Sequence, residues 1–499
     1  MRSRSIETAS VLASRAGALA IGCETRLATQ MSDLISHSAT NLAELIRRRE
    51  VSPIEIVETH LRRVEGLNPS LNAIVTLAPD AIDRAREAEA AVIRGDDLGA
   101  LHGVPITIKD TIATAGLRTT SGTALRENYV PDKDAGAVAR LKAAGAIILG
   151  KTNTAEMAMD YTADNPVFGR TNNPHDPSRT PGGSSGGEAA AIAVCMSPGG
   201  LGTDLAGSIR IPAHFCGIAG LKPTTGRVPD SGEFPSSTGP YSLGSVVGPM
   251  ARRVEDLHLL FSALIGLGVP QSFGPISALY NRAVMRGWRV AWYADDGVVP
   301  VTEETHHAVQ AAARALADAG LATEEHRPPG IERGHDLWLK LFARASVVLL
   351  RELYSGHEDT AGAFVRWRLA TADEKPAPTL DEYIADWMER DLLRATLVEW
   401  MDTKRLLLAP VGATPAFEHD AHKVTVNERT FSTFRAFSYS QAFNVFDLPS
   451  VSIPAGRSRE GLPIGVQIAG RPGDEETVLA AALIVEEALG GWQPPSDRF

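Results

Sequence analysis

The stretch PGGSSGGEAAAIAVCMSPGGLGTDLAGSIRIPAHFCGIAGLKPTTGR, Pro181 to Arg227, sets three serines among glycines in a pattern that core packing does not require. Ser184 and Ser185 stand in Gly182-Gly183-Ser184-Ser185-Gly186-Gly187, and Ser208 in Ala206-Gly207-Ser208-Ile209-Arg210. Small residues let backbone N–H groups approach a ligand closely, as an oxyanion hole or a phosphate cradle demands. With serine hydroxyls among them, the block reads as a nucleophile loop.

Outward from this block, short apolar runs alternate with helical patterns. Val104–Ile108, Ala146–Leu149 and Ile218–Lys222 read as strands, with helices near Gly136–Ala144 and Gly187–Cys195. Trp288–Tyr293, Leu406–Ala409, Val451–Ile453 and Ile464–Ile468 extend the strand set. Thr302 caps a helix that Gly320 stops, and Glu475–Leu489 is a final helix ended by Gly490. Ser52-Pro53-Ile54-Glu55 predicts an N-cap, a proline at the first helical position and a capping-box glutamate. Asp336 to Thr403 reads as helical, and Gln271–Ala278 and Pro376–Pro378 are the linker or insertion candidates. Strands alternating with helices predict an α/β fold built on a layered sheet.

Composition narrows the function classes. A chain of 499 residues, 44% hydrophobic and 22% charged, can bury a sizeable core as one large α/β domain or two domains. No run reaches the ~20 apolar residues of a membrane span. The net charge of −11, with basic residues spread along the chain, argues against a nucleic-acid or membrane surface. Cys23, Cys195 and Cys216 are far apart and form no CxxC, so neither a disulfide framework nor a zinc site is indicated. The basic, partly apolar start ending in Cys23 has the outline of a lipoprotein signal, but Glu7 and Arg15 interrupt its apolar region. Residues 1–33 therefore read as a flexible N-terminal extension.

Gly145 to Thr152, GAIILGKT, satisfies the phosphate-loop expression GxxxxGK(S/T) letter for letter. Its interior is the apolar strand itself and its first glycine ends a helix, so nucleotide binding is not the reading. A serine needs a base to become a nucleophile. His214 is the one histidine near the serines, and its apolar surroundings favour a packed role; GxSxG is absent around Ser208. Lys109, ending Val104-Pro105-Ile106-Thr107-Ile108-Lys109-Asp110, is the other option, because a desolvated lysine can be neutral near pH 7. A surface lysine paired with Asp110 is the competing reading.

Gly202-Thr203-Asp204, Gly207-Ser208-Ile209-Arg210, Pro212, Phe215-Cys216-Gly217 and Gly220-Leu221-Lys222-Pro223-Thr224, with the glycine–serine block, resemble the amidase signature family. The resemblance extends to Gly103-Val104-Pro105 with Lys109, to Gly150-Lys151-Thr152-Asn153, and to Leu448-Pro449 through Gly470-Arg471-Pro472. It implies a large mixed β-sheet sandwiched between α-helices, in a single large domain over 34–495. That domain divides into a helical lead-in over 34–100, a signature core over 101–270, a helical substrate-pocket insertion over 336–403 and a return to the sheet over 404–495.

The same resemblance implies a Ser-cisSer-Lys triad: Ser208 as nucleophile, Ser184 as bridging serine after a cis Gly183–Ser184 peptide, and Lys109 as base. Backbone amides of Leu205, Ala206, Gly207 and Ser208 are the implied oxyanion hole. The family often has Gly-Gly-Ser where this chain has Ala206-Gly207-Ser208, so the Ala206 methyl narrows the space beside the substrate. Ser185 is expected to brace the loop and Asp204 with Arg210 to form a structural ion pair. Members acting on glutamine in tRNA amidotransferases usually carry a glutamine after Ser-Ile-Arg and a Leu-Asp-Gln-like segment downstream; here stand Ile211 and Leu243-Gly244-Ser245.

The expected activity is hydrolysis of aryl or alkyl carboxamides, and of carbamates (urethanes) or esters. The alternative is an amidotransferase subunit releasing ammonia from glutamine. Tyr129, Met157, Tyr161, Phe437, Phe443 and Phe446 are the substrate-wall candidates. The expected partner is a small-molecule amide or carbamate, with no nucleic acid, membrane span, metal or cofactor, in a cytoplasmic monomer or homodimer.

Overall fold

The computed structural model describes residues 34–266, 282–374 and 376–496. The readings for residues 1–33, Cys23 included, and for the linker at Gln271–Ala278 lie outside them. In chain order the strands are β1 (Ile74–Leu77), β2 (Pro105–Lys109), β3 (Ile147–Thr152), β4 (Gly199–Asp204), β5 (Ala219–Lys222) and β6 (Val246–Ala251). There follow β7 (Arg289–Trp292), β8 (Ala322–Glu325), β9 (Leu406–Pro410), the hairpin β10 (Lys423–Val426) and β11 (Arg429–Ser432), β12 (Ser450–Arg457) and β13 (Pro463–Ala469).

Among the described residues, all but the hairpin join one 11-stranded mixed sheet in the order β1, β3, β2, β4, β6, β5, β12, β13, β9, β7, β8. β2 runs parallel to β3 and β4, and β7 to β8 and β9; the other pairs are antiparallel. Buried side chains from the lead-in helices through the last helix pack on this sheet in a continuous apolar core.

β4 is the central strand that alternation does not foresee, since its sequence is GGLGTD. Glycine weakens a strand in isolation, and here it records close packing. The wholly buried helix Gly186–Ala193 lies over the sheet, and a Cβ at Gly200 would run into the Glu188 carboxylate and the Thr107 carbonyl. The parallel register sets Thr107 opposite Gly200 and Ile108 opposite Leu201. Lys109, last in β2, is thereby delivered beside Thr203 on β4.

Helix ends follow their local signals with one exception. Thr302 accepts from the Thr305 N–H and Gly490 closes its helix at φ 88°. Ser52 caps Pro53–Leu71 by accepting from the Ile54 N–H, but the capping box expected with Glu55 is not formed; the Ser52 hydroxyl donates instead to Glu89 Oε1 at 2.5 Å. The helical stretch after Asp336 contains Arg344–Leu353, Ala363–Ala370 and Leu380–Trp400, and the Pro376–Pro378 segment precedes the last of these.

Candidate active site

Lys109 is wholly buried, and its Nζ donates to Ser184 Oγ at 2.6 Å and to Thr203 Oγ1 at 2.7 Å. Asp110, the competing partner, faces elsewhere and accepts from the Thr120 N–H and hydroxyl. Burial lowers the Lys109 pKa to about 7, against the opposing pull of Glu233, Asp204 and Glu188. A lysine so placed can be an unprotonated amine at neutral pH.

Ser184 follows a cis peptide from Gly183, in the loop that enters helix Gly186–Ala193. Ser185 ties this loop to its neighbours: its N–H donates to the Ser208 carbonyl at 3.2 Å, and its hydroxyl accepts from the Thr203 N–H at 3.3 Å. Ser208 sits in the turn between β4 and helix Arg210–Cys216, nearly buried but lining an open cleft. Among the described residues its hydroxyl has no hydrogen-bond partner, and the Ser184–Ser208 link is not formed in this state.

The turn is held by Asp204. Its carboxylate accepts from the Gly207 N–H (2.8 Å), the Ile209 N–H (3.1 Å) and, through both oxygens, from Arg210 (3.0 Å each). Arg210 continues to Gln467 Oε1 at 2.8 Å and Asn444 Oδ1 at 2.6 Å. Burial alone would raise the Asp204 pKa, but the Arg210 charge and these hydrogen bonds hold it well below the usual carboxylate range. Asp204→Ala leaves Arg210 buried without its counter-charge, so a loss of about 3–5 kcal/mol is expected in urea unfolding. The free energy of Ser185→Ala, which loses two long hydrogen bonds to the Thr203 backbone, serves as the control.

Gly207 adopts φ 108°, where a side chain would be strained, and its amide is spent on Asp204. It therefore departs from the four-amide expectation. The amides of Leu205, Ala206 and Ser208 donate to no acceptor among the described residues, and all three residues line the cleft. Trp338 Nε1 donates to the Leu205 carbonyl at 3.0 Å and the Tyr161 hydroxyl to the Ala206 carbonyl at 2.7 Å. Because a trans peptide points its N–H opposite its C=O, these two aromatics fix which way the turn's amides face.

The cleft has a volume of about 280 Å³ and is mostly apolar. Met157 and Tyr161 line it as expected. Tyr129 does not: it is 43% exposed, with Arg126 over its ring at 3.9 Å. Phe437, Phe443 and Phe446 are wholly buried core residues outside the cleft; Phe437 packs edge-on against Phe215 and Tyr161. The wall is instead a stack centred on Phe434, which lies 4.6 Å from Tyr161, 5.8 Å from Trp338 and 6.1 Å from Phe364 between ring centroids. Phe342 and Trp367 complete it. Phe342 sits in the π-helical turn Leu339–Ala343, a distortion that often marks functional sites.

Two other residues take the structural roles expected. His214 accepts from the Gly465 N–H at 2.6 Å and binds the Thr414 carbonyl at 3.0 Å; burial lowers its pKa to about 4. Lys151, of the phosphate-loop lookalike, is buried within β3 and donates to the Ile112 carbonyl and Thr119 Oγ1. Cys195 and Cys216 are buried thiols. Among the described residues no group of three or more His, Cys, Asp or Glu side chains could hold a metal, and no helix is long and apolar enough to cross a membrane.

A large mixed sheet between helices, with a buried lysine hydrogen-bonded to a serine beside a cleft, is the arrangement of an amidase-type enzyme. The chain belongs to the amidase signature family, whose Amidase family model matches residues 55–479. It is 32% identical to the A-subunit of the glutamyl-tRNA(Gln) amidotransferase of Heliobacterium modesticaldum, over 92% of this chain and 98% of that one. It is also 32% identical to the fatty-acid amide hydrolase 2-A of Danio rerio, over 94% and 92%. Among solved structures, a bacterial aryl acylamidase of the same family superposes with a TM-score of 0.78 at 28% identity, covering 91% of this chain and 96% of that one. Its relatives act on C–N bonds, as amidases and within an amidotransferase.

Proposed function

We propose that the protein is a serine hydrolase of carboxamides, with Ser208 as nucleophile, Ser184 as proton relay and Lys109 as base. Ser208 Oγ attacks the acyl carbon while its proton passes to Ser184 and that of Ser184 to neutral Lys109. The tetrahedral oxyanion faces the free amides of Leu205, Ala206 and Ser208, each such donor being worth roughly 3 kcal/mol. As the C–N bond breaks, the proton returns from Lys109 through Ser184 to the leaving amine. Water then attacks the acyl-enzyme by the same relay, releasing the acid and Ser208.

The observation that carries this reading is the 2.6 Å hydrogen bond from buried Lys109 to Ser184, at the base of an aromatic cleft onto which Ser208 opens. The wall of Phe434, Trp338, Phe342 and Phe364 suits an aryl or alkyl acyl group. Carbamates and esters fit the same tetrahedral chemistry. An amine-release panel of aryl amides, alkyl amides, carbamates and glutamine tests it: turnover of the apolar amides without glutamine supports the proposal, and glutamine alone overturns it.

A second reading is favoured by the relatives, since several are amidotransferase A-subunits that align over nearly their whole length. It predicts ammonia release from glutamine only when partner proteins of the amidotransferase are added.

A further inference from the structure

Glu233 lies in the loop after β5, outside the triad and the amide turn, yet it lines the cleft with Ser184, Thr203 and Ser208. A bridge from its backbone to Ile112 anchors it to the segment following Lys109. It is 9% exposed, and its Oε2 accepts from the Ser237 hydroxyl at 3.0 Å. The Thr203 hydroxyl accepts from Lys109 at 2.7 Å, which leaves its own hydrogen to donate, and the Glu233 carboxyl lines the same wall of the cleft as Thr203. Lys109, the Thr203 hydroxyl and the Glu233 carboxyl thus gather at one wall of the cleft.

We propose that Glu233 is a positioning residue acting through Thr203: its carboxylate steadies the proton that Lys109 takes up during acylation, and so sets the pH at which Lys109 can serve as base. Burial strips Lys109 of solvation and lowers its proton affinity, and of the three carboxylates opposing this, Glu233 acts most strongly, ahead of Asp204 and Glu188. Those other two are otherwise engaged: Asp204 is neutralised by Arg210, and Glu188 accepts from Thr107 and Thr152 and feels Lys151. Around Glu233 itself, Lys109 favours the carboxylate while burial and Asp230 disfavour it. Lys109 and Glu233 thus form one titrating unit. The proton moves from Ser184 to Lys109 and back, and the Glu233 carboxyl, itself raised by burial, is drawn to its ionised form by the charge that appears on Lys109.

This inference rests on the proposed role of Lys109. Its test is the rate at which phenylmethylsulfonyl fluoride labels Ser208 in the full chain, followed by mass against pH. In Glu233→Gln the acid limb is expected to move to lower pH by about one to three units, and the plateau rate to fall, because the base loses its counter-charge. Thr203→Val, which keeps the carboxylate but removes the link, is expected to move the limb the same way by less. A purely structural role lowers the plateau and leaves the limb in place. That outcome in Glu233→Gln, or in Thr203→Val should Glu233→Gln fail to fold, overturns the inference. Absence of Ser208 labelling in the wild type overturns the proposed function instead.

Discussion

Ser208→Ala is expected to lower kcat/KM on any amide substrate by about 10^4-fold or more, with an unchanged melting temperature. The size of the effect follows from what is removed. Without Oγ no acyl-enzyme forms, and the free amides of the turn have no tetrahedral oxyanion to hold. The structure gives little reason for an effect on stability, since the Ser208 hydroxyl has no partner among the described residues while its carbonyl still accepts from the Ser185 N–H. A variant that keeps its activity places the nucleophile elsewhere.

Lys109→Ala is expected to cost about 10^2- to 10^4-fold in kcat/KM at neutral pH and to erase the acid limb of the pH profile. Only the unprotonated amine can take a proton from Ser184. In the wild type the rate must therefore rise with pH as Lys109 loses its proton, around the pKa of about 7 to which burial lowers it. Below that pH Lys109 is an ammonium and the relay has no acceptor. Substituting a buried side chain can also loosen the fold, so near-UV circular dichroism and rescue by added methylamine separate a lost base from a damaged core. A Lys109→Ala enzyme with the wild-type limb intact removes lysine from the mechanism.

Much of the architecture can be read from local signals. The strands β2, β3, β5, β7, β9, β12 and β13 announce themselves as apolar runs between turn residues. β4 does not, because three of its six residues are glycines whose reason lies across the sheet, in Glu188 and Thr107. The residues proposed as a triad lie far apart, Lys109 and Ser184 being separated by 75 positions, so no spacing rule unites them. The family resemblance supplies that pairing; the register of β2 on β4 places Lys109 beside Thr203, and from there its amine reaches Ser184.

The cleft is much less legible. Trp338 and Phe342, four residues apart, and Phe364 and Trp367, three apart, have the spacing of any helix face that packs on a core. Nothing in that spacing tells which helices face a cleft and which face the interior. Phe437, Phe443 and Phe446 carry the same signal and are core. Glu233 stands in an aperiodic Gly-, Pro- and Ser-rich loop, where a carboxylate ordinarily faces water; only the bridge to Ile112 brings it to Lys109. Gly207 reads in sequence as one more amide donor, whereas in the fold Asp204 occupies its N–H.

The most direct test of the Ser208, Ser184 and Lys109 assignment is the mass of the protein trapped with phenylmethylsulfonyl fluoride, followed by peptide mapping. One added sulfonyl group is expected on the Ser208 oxygen, lost in Ser208→Ala and strongly slowed in Lys109→Ala. Equal labelling of Ser208→Ala, or an adduct mapped to another residue, would contradict it.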